Sequence, residues 1–426
     1  MYEKDKGNGQ GEPRPRAPVS DPVVARVKEY AVSRLSPAQR KTTNLYLDPF
    51  IVEAETPLGP AFQRWNVDRP SVLVFQDNVP DAGFGHPCSY LLFDERGEPR
   101  QQIRAEFPPY PFTGLDGLAA LWEPVKFQEL RAETTAMAAP RVLARTLQSS
   151  AQPLNATTHR RFAILFAGLA DRAQLNDLEF SYRMLTDEFH FAAQDIHVLF
   201  NDGTKTGPLF KDGSHRRKWP GSVADGTFRV DVKKKGTRAN FQQALRDIDQ
   251  QIGANDLLFI HAEGHGGHDL GAPNEKTFLA GYSDVLEGSQ YFATDMAADL
   301  QGLLKPCRAI LMLMNQCYAG GFTWVAPRTN ASSTYIACAA PADMWARFEL
   351  NGKWYDFSFD WMQAQIGALV GDAHAPLPGT PPATNPDGSV KAQGAFNYSE
   401  QHRAHPDVPP VFAQHPNAAA GAMSLR

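Results

Sequence analysis

The chain has few cysteines. Among 426 residues there are four, Cys88, Cys307, Cys317 and Cys338, with no Cys-x-x-Cys pair and no dense spacing. A disulfide framework is therefore not expected, and free thiols in a reducing compartment are. Nothing approaches the ~18 consecutive apolar residues of a membrane span. The opening segment, MYEKDKGNGQ, carries charge but no apolar core, so it reads as neither a signal peptide nor an anchor. An excess of positive charge is missing as well, since the net charge is -5, and nucleic acid is not an expected partner. These absences together point to a cytoplasmic protein that binds neither nucleic acid nor membrane. Two local basic clusters, His215-Arg216-Arg217-Lys218 and Lys233-Lys234-Lys235, lie in a stretch punctuated by Gly and Asp and read as solvated loop.

What is present is enough apolar material for a core: 42% hydrophobic residues, with 26 Phe and 7 Trp. The texture of the chain divides it into four parts. Residues 1–45 open polar and rich in Pro and Gly, and read as a mostly disordered arm. Residues 46–157 read as a β-rich accessory domain. Its short apolar runs at Ser71–Phe75, Ser89–Phe93 and Gln102–Phe107 are separated by turns such as Asp94-Glu95-Arg96-Gly97, with a helical connection expected around Ala119 to Ser149. Residues 158–371 alternate continuous apolar runs with helical periodicity. Strands are expected at Phe162–Phe166, Ile196–Phe200, Leu257–His261, Ala309–Met314 and Thr334–Ala339. Helices are expected over Asn176–Phe189, from Thr237, over Asp295–Leu304 and over Phe357–Val370. That alternation predicts an α/β domain with a largely parallel sheet. Residues 372–426, rich in Pro, Ala and His without periodicity, read as a mostly irregular tail.

Two of the expected strands end in chemistry. The first runs Leu257 to His261 and continues Ala262-Glu263-Gly264-His265-Gly266-Gly267-His268; the second runs Ile310 to Met314 and continues Asn315-Gln316-Cys317-Tyr318-Ala319-Gly320. Open α/β sheets place their ligands just beyond the carboxyl ends of strands. A Gln-Cys step with a histidine about 50 residues upstream is a signature of caspase-type peptidases. Peptide-bond cleavage by a thiol needs a nucleophile, an acid–base group and oxyanion donors. Cys317 and His265 are the candidates for the first two, and the amides of Gly266 and Cys317 for the third, because glycine lets backbone approach a substrate closely.

Residues from about 160 to 370 resemble the caspase-like cysteine peptidases, and more closely the legumain-type branch. The resemblance rests on Leu165-Phe166-Ala167-Gly168 with Asp177, on Phe259 to Gly266, on Asn315-Gln316-Cys317, and on Lys353-Trp354-Tyr355 with Trp361-Met362. It implies a caspase-like α/β/α sandwich and endopeptidase activity without a cofactor. A protein or peptide is then the substrate, chosen mainly by the residue before the cut. Asn315, Gln316, Lys353 and Arg172 are the implied substrate-contacting residues. Legumain-type enzymes carry carboxylates where this chain has Asn315 and Lys353, so an ammonium at 353, reinforced by Arg172, would favour an acidic residue before the cut. The accessory domain is expected to recruit or restrain, as a site for a regulatory protein.

Two other readings use the same residues. A caspase-like fold can persist as a scaffold or interaction module without activity. The cluster His261, Glu263, His265, His268 and Asp269 offers zinc-type donors, although its glycines oppose the helix on which a His-x-x-x-His metalloprotease motif relies. His268 is a rival to His265 for the acid–base role, and His261 reads as a strand histidine with a structural hydrogen bond.

Overall fold

The structure is a computed structural model that describes residues 16–59, 64–80, 86–109, 118–124, 159–168, 172–204, 228–268, 276–282, 289–347, 355–367, 377–402, 408–416 and 420–426. The chain divides into two compact units. One holds Met1–Pro80 and Pro87–Lys126; the other holds Asp81–His86 and Phe127–Arg426.

The first unit contains helices α1 (Asp21–Ser33) and α2 (Gln39–Thr42) and strands β1 (Asn44–Leu47), β2 (Pro57–Leu58), β3 (Trp65–Asn66), β4 (Val72–Asp77), β5 (Cys88–Phe93), β6 (Pro99–Ala105) and β7 (Ala119–Trp122). Five of them form an antiparallel sheet in the order β6-β5-β4-β1-β7. The turn read from Asp94 to Gly97 joins β5 to β6, with Gly97 at φ +85 and its N–H donated to Asp94 O. The expectation of a disordered arm to residue 45 is corrected here. Val27 and Ala31 of α1 are fully buried in one cluster with Val72, Val74 and Phe93, so residues from Asp21 onward belong to this unit's core. The helix expected from Ala119 begins instead as strand β7; residues 125–158 lie outside the described residues.

The second unit follows the expected alternation. Its elements are β8 (Arg161–Ala167), α3 (Arg172–Arg183) running into a π turn (Met184–Glu188), β9 (Ile196–Phe200), α4 (Arg238–Asp249), β10 (Leu257–Glu263), β11 (Gly266–His268), β12 (Thr277–Gly281), β13 (Ser289–Phe292), α5 (Ala293–Leu303), β14 (Ala309–Asn315), a 3-10 helix (Ala319–Arg328), β15 (Ser333–Cys338), α6 (Asp356–Ile366), α7 (Ala392–His402) and β16 (Val411–His415). The main sheet has six strands in the order β16-β15-β14-β10-β8-β9, all parallel except β16. Strands β10 and β14 are buried at every position because helices cover both faces. Residues 257 and 259 of β10 and 309, 311 and 313 of β14 pack toward α3, α6 and α7. Residues 258, 260 and 262 with 310, 312 and 314 pack toward α4 and α5. Helix α4 starts where Thr237 caps it, its hydroxyl accepting from Asn240 N, and buries Phe241, Ala244, Leu245 and Ile248 on one face. This is a mixed α/β unit with a mostly parallel sheet and helices on both sides.

The tail is the second correction. Residues 372–426 read as mostly irregular, yet α7 and β16 complete this unit. Strand β16 pairs antiparallel with β15, and α7 covers the outside of α6. That cover explains why α6 is buried nearly all round, Asp360, Gln363 and Gln365 included. In α7 the buried residues Ala392, Ala395, Phe396 and Ser399 follow helical spacing, and Gly394 brings the helix within reach of Ala383 O, where a Cβ would stand only 2.4 Å away. Phe396 meets Phe357 and Phe412 edge-on at 5.8 and 4.9 Å between ring centroids. Phe396→Ala should therefore cost about 3–5 kcal/mol in urea unfolding, the range for a buried aromatic. A change below ~0.5 kcal/mol, as at an unpacked surface position, would show that the tail is not part of the core.

Candidate active site

Parallel pairing brings the two sequence motifs together. Leu257 is in register with Ala309, and each later residue of β10 faces its counterpart in β14 up to the last pair, Glu263 with Asn315. His265 and Cys317 each stand two residues beyond that pair. Gly264, at φ +118, turns the chain in a region that side chains rarely adopt. Gly266 then lies directly on the backbone of Cys317, where a Cβ would be 2.5 Å from Cys317 O and 2.6 Å from Gln316 Cγ. The histidine is also held from its other side, since Ala280 N donates to His265 O at 2.7 Å at the start of the β11–β12 ladder. Gly168 closes on the same region from β8, its absent Cβ 2.2 Å from Ala280 O.

After Cys317 the backbone enters the left-handed region at Tyr318, φ +61, and the 3-10 helix begins. Tyr318 N donates to Met344 O at 2.7 Å, and the Cys317 thiol points to Ala346 O at 3.9 Å. Met344 and Ala346 thus pass beside the cysteine. Trp345 and Arg347 in the same segment are not singled out by any sequence motif. Their one signal there is position, just after the strand that follows the cysteine strand.

The pair is enclosed, with Cys317 1% and His265 7% exposed. Burial holds His265 well below the ordinary histidine value, and the charge of nearby His86 lowers it further. His86 belongs to the short segment Asp81–His86 that groups with this unit. A neutral imidazole is equipped to accept a thiol proton; in this structure the Cys317 thiol itself is directed to Ala346 O.

Beneath the pair, on the α3–α6 side of the sheet, lies a buried polar cluster. Ser181 Oγ is 2.6 Å from His261 Nδ1, and His261 Nε2 is 2.6 Å from Glu263 Oε1. Ser181 also approaches Met362 Sδ at 3.1 Å, but a thioether is the weaker acceptor, so the hydroxyl proton goes to Nδ1 and Nε2–H donates to the carboxylate. Asn315 Nδ2 donates to both Glu263 oxygens, at 3.1 and 3.0 Å, and to Ser358 Oγ at 2.9 Å. Ser358 donates to Asp177 at 3.3 Å, and Asp177 accepts from Tyr355 N at 3.1 Å. Ser181, His261 and Glu263 have the connectivity of a serine-hydrolase triad, but all three are fully buried, so no substrate carbonyl reaches the hydroxyl. His261 is the structural strand histidine that the sequence suggests.

The expected substrate residues fare differently. Asn315 is present beside the thiol strand but turns its amide inward to Glu263 and Ser358. Gln316 is fully buried, with its Cβ and Cγ against Gly266. Arg172 begins α3; Lys353 and Trp354 lie outside the described residues, as does Asp269. His268 follows on β11 and meets the Tyr318 ring edge-on at 4.5 Å. Among the described residues no three of His, Cys, Asp and Glu gather as a metal site would need, and His261 and Glu263 are spent on each other. No helix among the described residues is long and apolar enough to cross a membrane.

Comparison with known proteins adds little to this geometry. No protein-family model matches the sequence. No curated protein matches it either. Among solved structures, protein GSU0716 from Geobacter sulfurreducens aligns over 62% of this chain and 97% of its own, with 11% identity and a TM-score of 0.38. A likeness that loose carries no argument about function.

The buried histidine has a consequence for stability. Burial pushes His261 down to about 3, whereas an unfolded chain titrates near 6.5. Below the unfolded value the unfolded state takes the proton first, so stability is full above it and is lost progressively as pH falls toward 3. His265 and His197 are lowered in the same direction. The denaturation midpoint should fall between pH 7 and 4, with a shallower fall in His261→Gln. An unchanged slope in that variant would contradict the assignment of a neutral buried His261.

Proposed function

We propose that this protein is a cysteine endopeptidase in which Cys317 is the nucleophile and His265 the general acid and base. The observation that carries the proposal is the placement of both residues two positions past the last registered pair of neighbouring parallel strands, with Gly266 packed on Cys317 O between them. The resemblance to the caspase-like peptidases supports the same reading. In the reaction His265 takes the thiol proton and the Cys317 sulfur attacks the substrate carbonyl. The backbone around Gly266 and Cys317 supplies the amides that face the developing oxyanion. The imidazolium returns its proton to the leaving amine, and the acyl-enzyme is released by a water that His265 deprotonates. Met344 and Ala346 pass beside the cysteine, and residues 344–347 are the segment along which an extended peptide would lie, with Trp345 and Arg347 nearest in sequence to the residue facing Cys317. No cofactor enters this chemistry.

One observation favours the scaffold alternative, namely the near-complete enclosure of Cys317 and His265. Turnover separates the two readings. Cys317→Ala and His265→Ala should each abolish cleavage of a fluorogenic peptide library while leaving the denaturation midpoint close to wild type. Cleavage that persists without Cys317 would refute the assignment. Because His265 is held below the ordinary histidine value, the acid limb of kcat/KM should fall below about pH 6.5. A limb at or above that value would mean that His265 is not the titrating group.

A further inference from the structure

We infer that Glu263 and Asn315 form a clamp that fixes the spacing of His265 and Cys317, making both positioning residues. The inference rests on the peptidase reading and assigns Asn315 a role that reading did not give it. The two side chains come from the last registered pair of β10 and β14. Asn315 Nδ2 reaches both carboxylate oxygens of Glu263, at 3.1 and 3.0 Å, with neither residue exposed. A hydrogen bond between two fully buried side chains is costly to break, because breaking it leaves buried polar atoms unsatisfied.

The dyad is bracketed by two cross-links between the same strand ends. Below it is the side-chain clamp between 263 and 315; above it is the backbone contact of Gly266 with Cys317 O. Only one residue separates each clamp position from its dyad residue, Gly264 on one side and Gln316 on the other. Little slack remains between them. The clamp is in turn fixed to the flanking helices: Ser358 of α6 accepts from Asn315, and Ser181 of α3 holds the His261 that donates to Glu263. Shifting either carboxylate oxygen or the amide would move a strand end against two helices at once. With its Nδ2 donating to Glu263 and Ser358, Asn315 acts on the thiol through the strand rather than by contacting substrate.

The test uses the full-length chain and two readouts: the rate of Cys317 alkylation by iodoacetamide, followed by mass mapping, and kcat and KM on a peptide that the wild type cleaves. Glu263→Gln and Asn315→Asp should each lower both the alkylation rate and kcat by about tenfold or more, with KM within about twofold. The double variant E263Q/N315D reverses the polarity of the bond, since the amide introduced at position 263 can donate to the carboxylate introduced at position 315, and should recover most of both rates. If a carboxyl variant fails to fold, Asn315→Ser removes the amide without adding charge and should show the same loss in folded protein. Wild-type rates in folded single variants would overturn the clamp. So would a raised KM with kcat retained, which marks Asn315 as a substrate contact, or a double variant no better than the singles. Alkylation needs no peptide, so a wild type that turns over nothing defeats the peptidase reading while the clamp is still decided by alkylation. If His265→Ala leaves that alkylation unchanged, there is no coupled pair to position and the inference fails.

Discussion

The parallel pairing of β10 with β14 is the constraint on which the rest of the second unit depends. The histidine and cysteine motifs are far apart in sequence, and parallel neighbours cannot be joined by a tight turn. The intervening chain makes the small antiparallel sheet β11-β12-β13 and then α5 before it returns as β14. The register of that return is enforced by chemistry. A slip of one residue would carry a strand's whole side-chain set to the other face, moving Asn315 away from Ser358 and Glu263 and into the apolar layer formed by Leu258, Ile260, Met312 and Met314. The polar cluster therefore specifies the pairing, and the pairing in turn brings His265 and Cys317 to one place.

The same cluster shows how one geometry can carry two meanings. Ser181, His261 and Glu263 are linked as a nucleophile, base and carboxylate would be, yet they lie beneath the strand ends rather than beyond them. Both sets are enclosed, and it is their place on the strands that separates them. The serine lies on a helix against the sheet face and also touches Met362, whereas His265 and Cys317 follow the strand ends, with Ala346 O beside the thiol. The catalysis proposed for the second pair and the organisation by the first are complementary: the buried chain of hydrogen bonds from Ser181 to Asp177 holds the strand ends against α3 and α6.

Much of the second unit is legible in the sequence because a doubly covered parallel strand has no polar alternation. Runs such as Leu257–His261 and Ala309–Met314 announce themselves as buried strands, and the glycines after them announce tight, close-packed ends. His265 and Cys317 are readable for that reason. What is not readable depends on tertiary cover. Helix α7 looks irregular because of Gly394 and its polar residues, although its apolar positions have helical spacing, and β16 is a short edge strand whose partner lies far back in the chain. Helix α1 is hidden behind a Pro- and Gly-rich opening. The resemblance to legumain-type enzymes implies a substrate contact at Asn315, and only the register with Glu263 shows where its amide is spent. Trp345 and Arg347 carry no motif and are placed by the hydrogen bond from Tyr318 to Met344.

The central claim is that Cys317 is a nucleophile made reactive by His265. Covalent capture with a peptidyl electrophile library, read by mass mapping of all four cysteines, measures that claim most directly. The account predicts modification at Cys317 and its loss in His265→Ala, with Cys88, Cys307 and Cys338 unmodified because burial pushes all three thiols up and keeps them protonated. Equal labelling of Cys317 with and without His265, or labelling spread over the other cysteines, would contradict it.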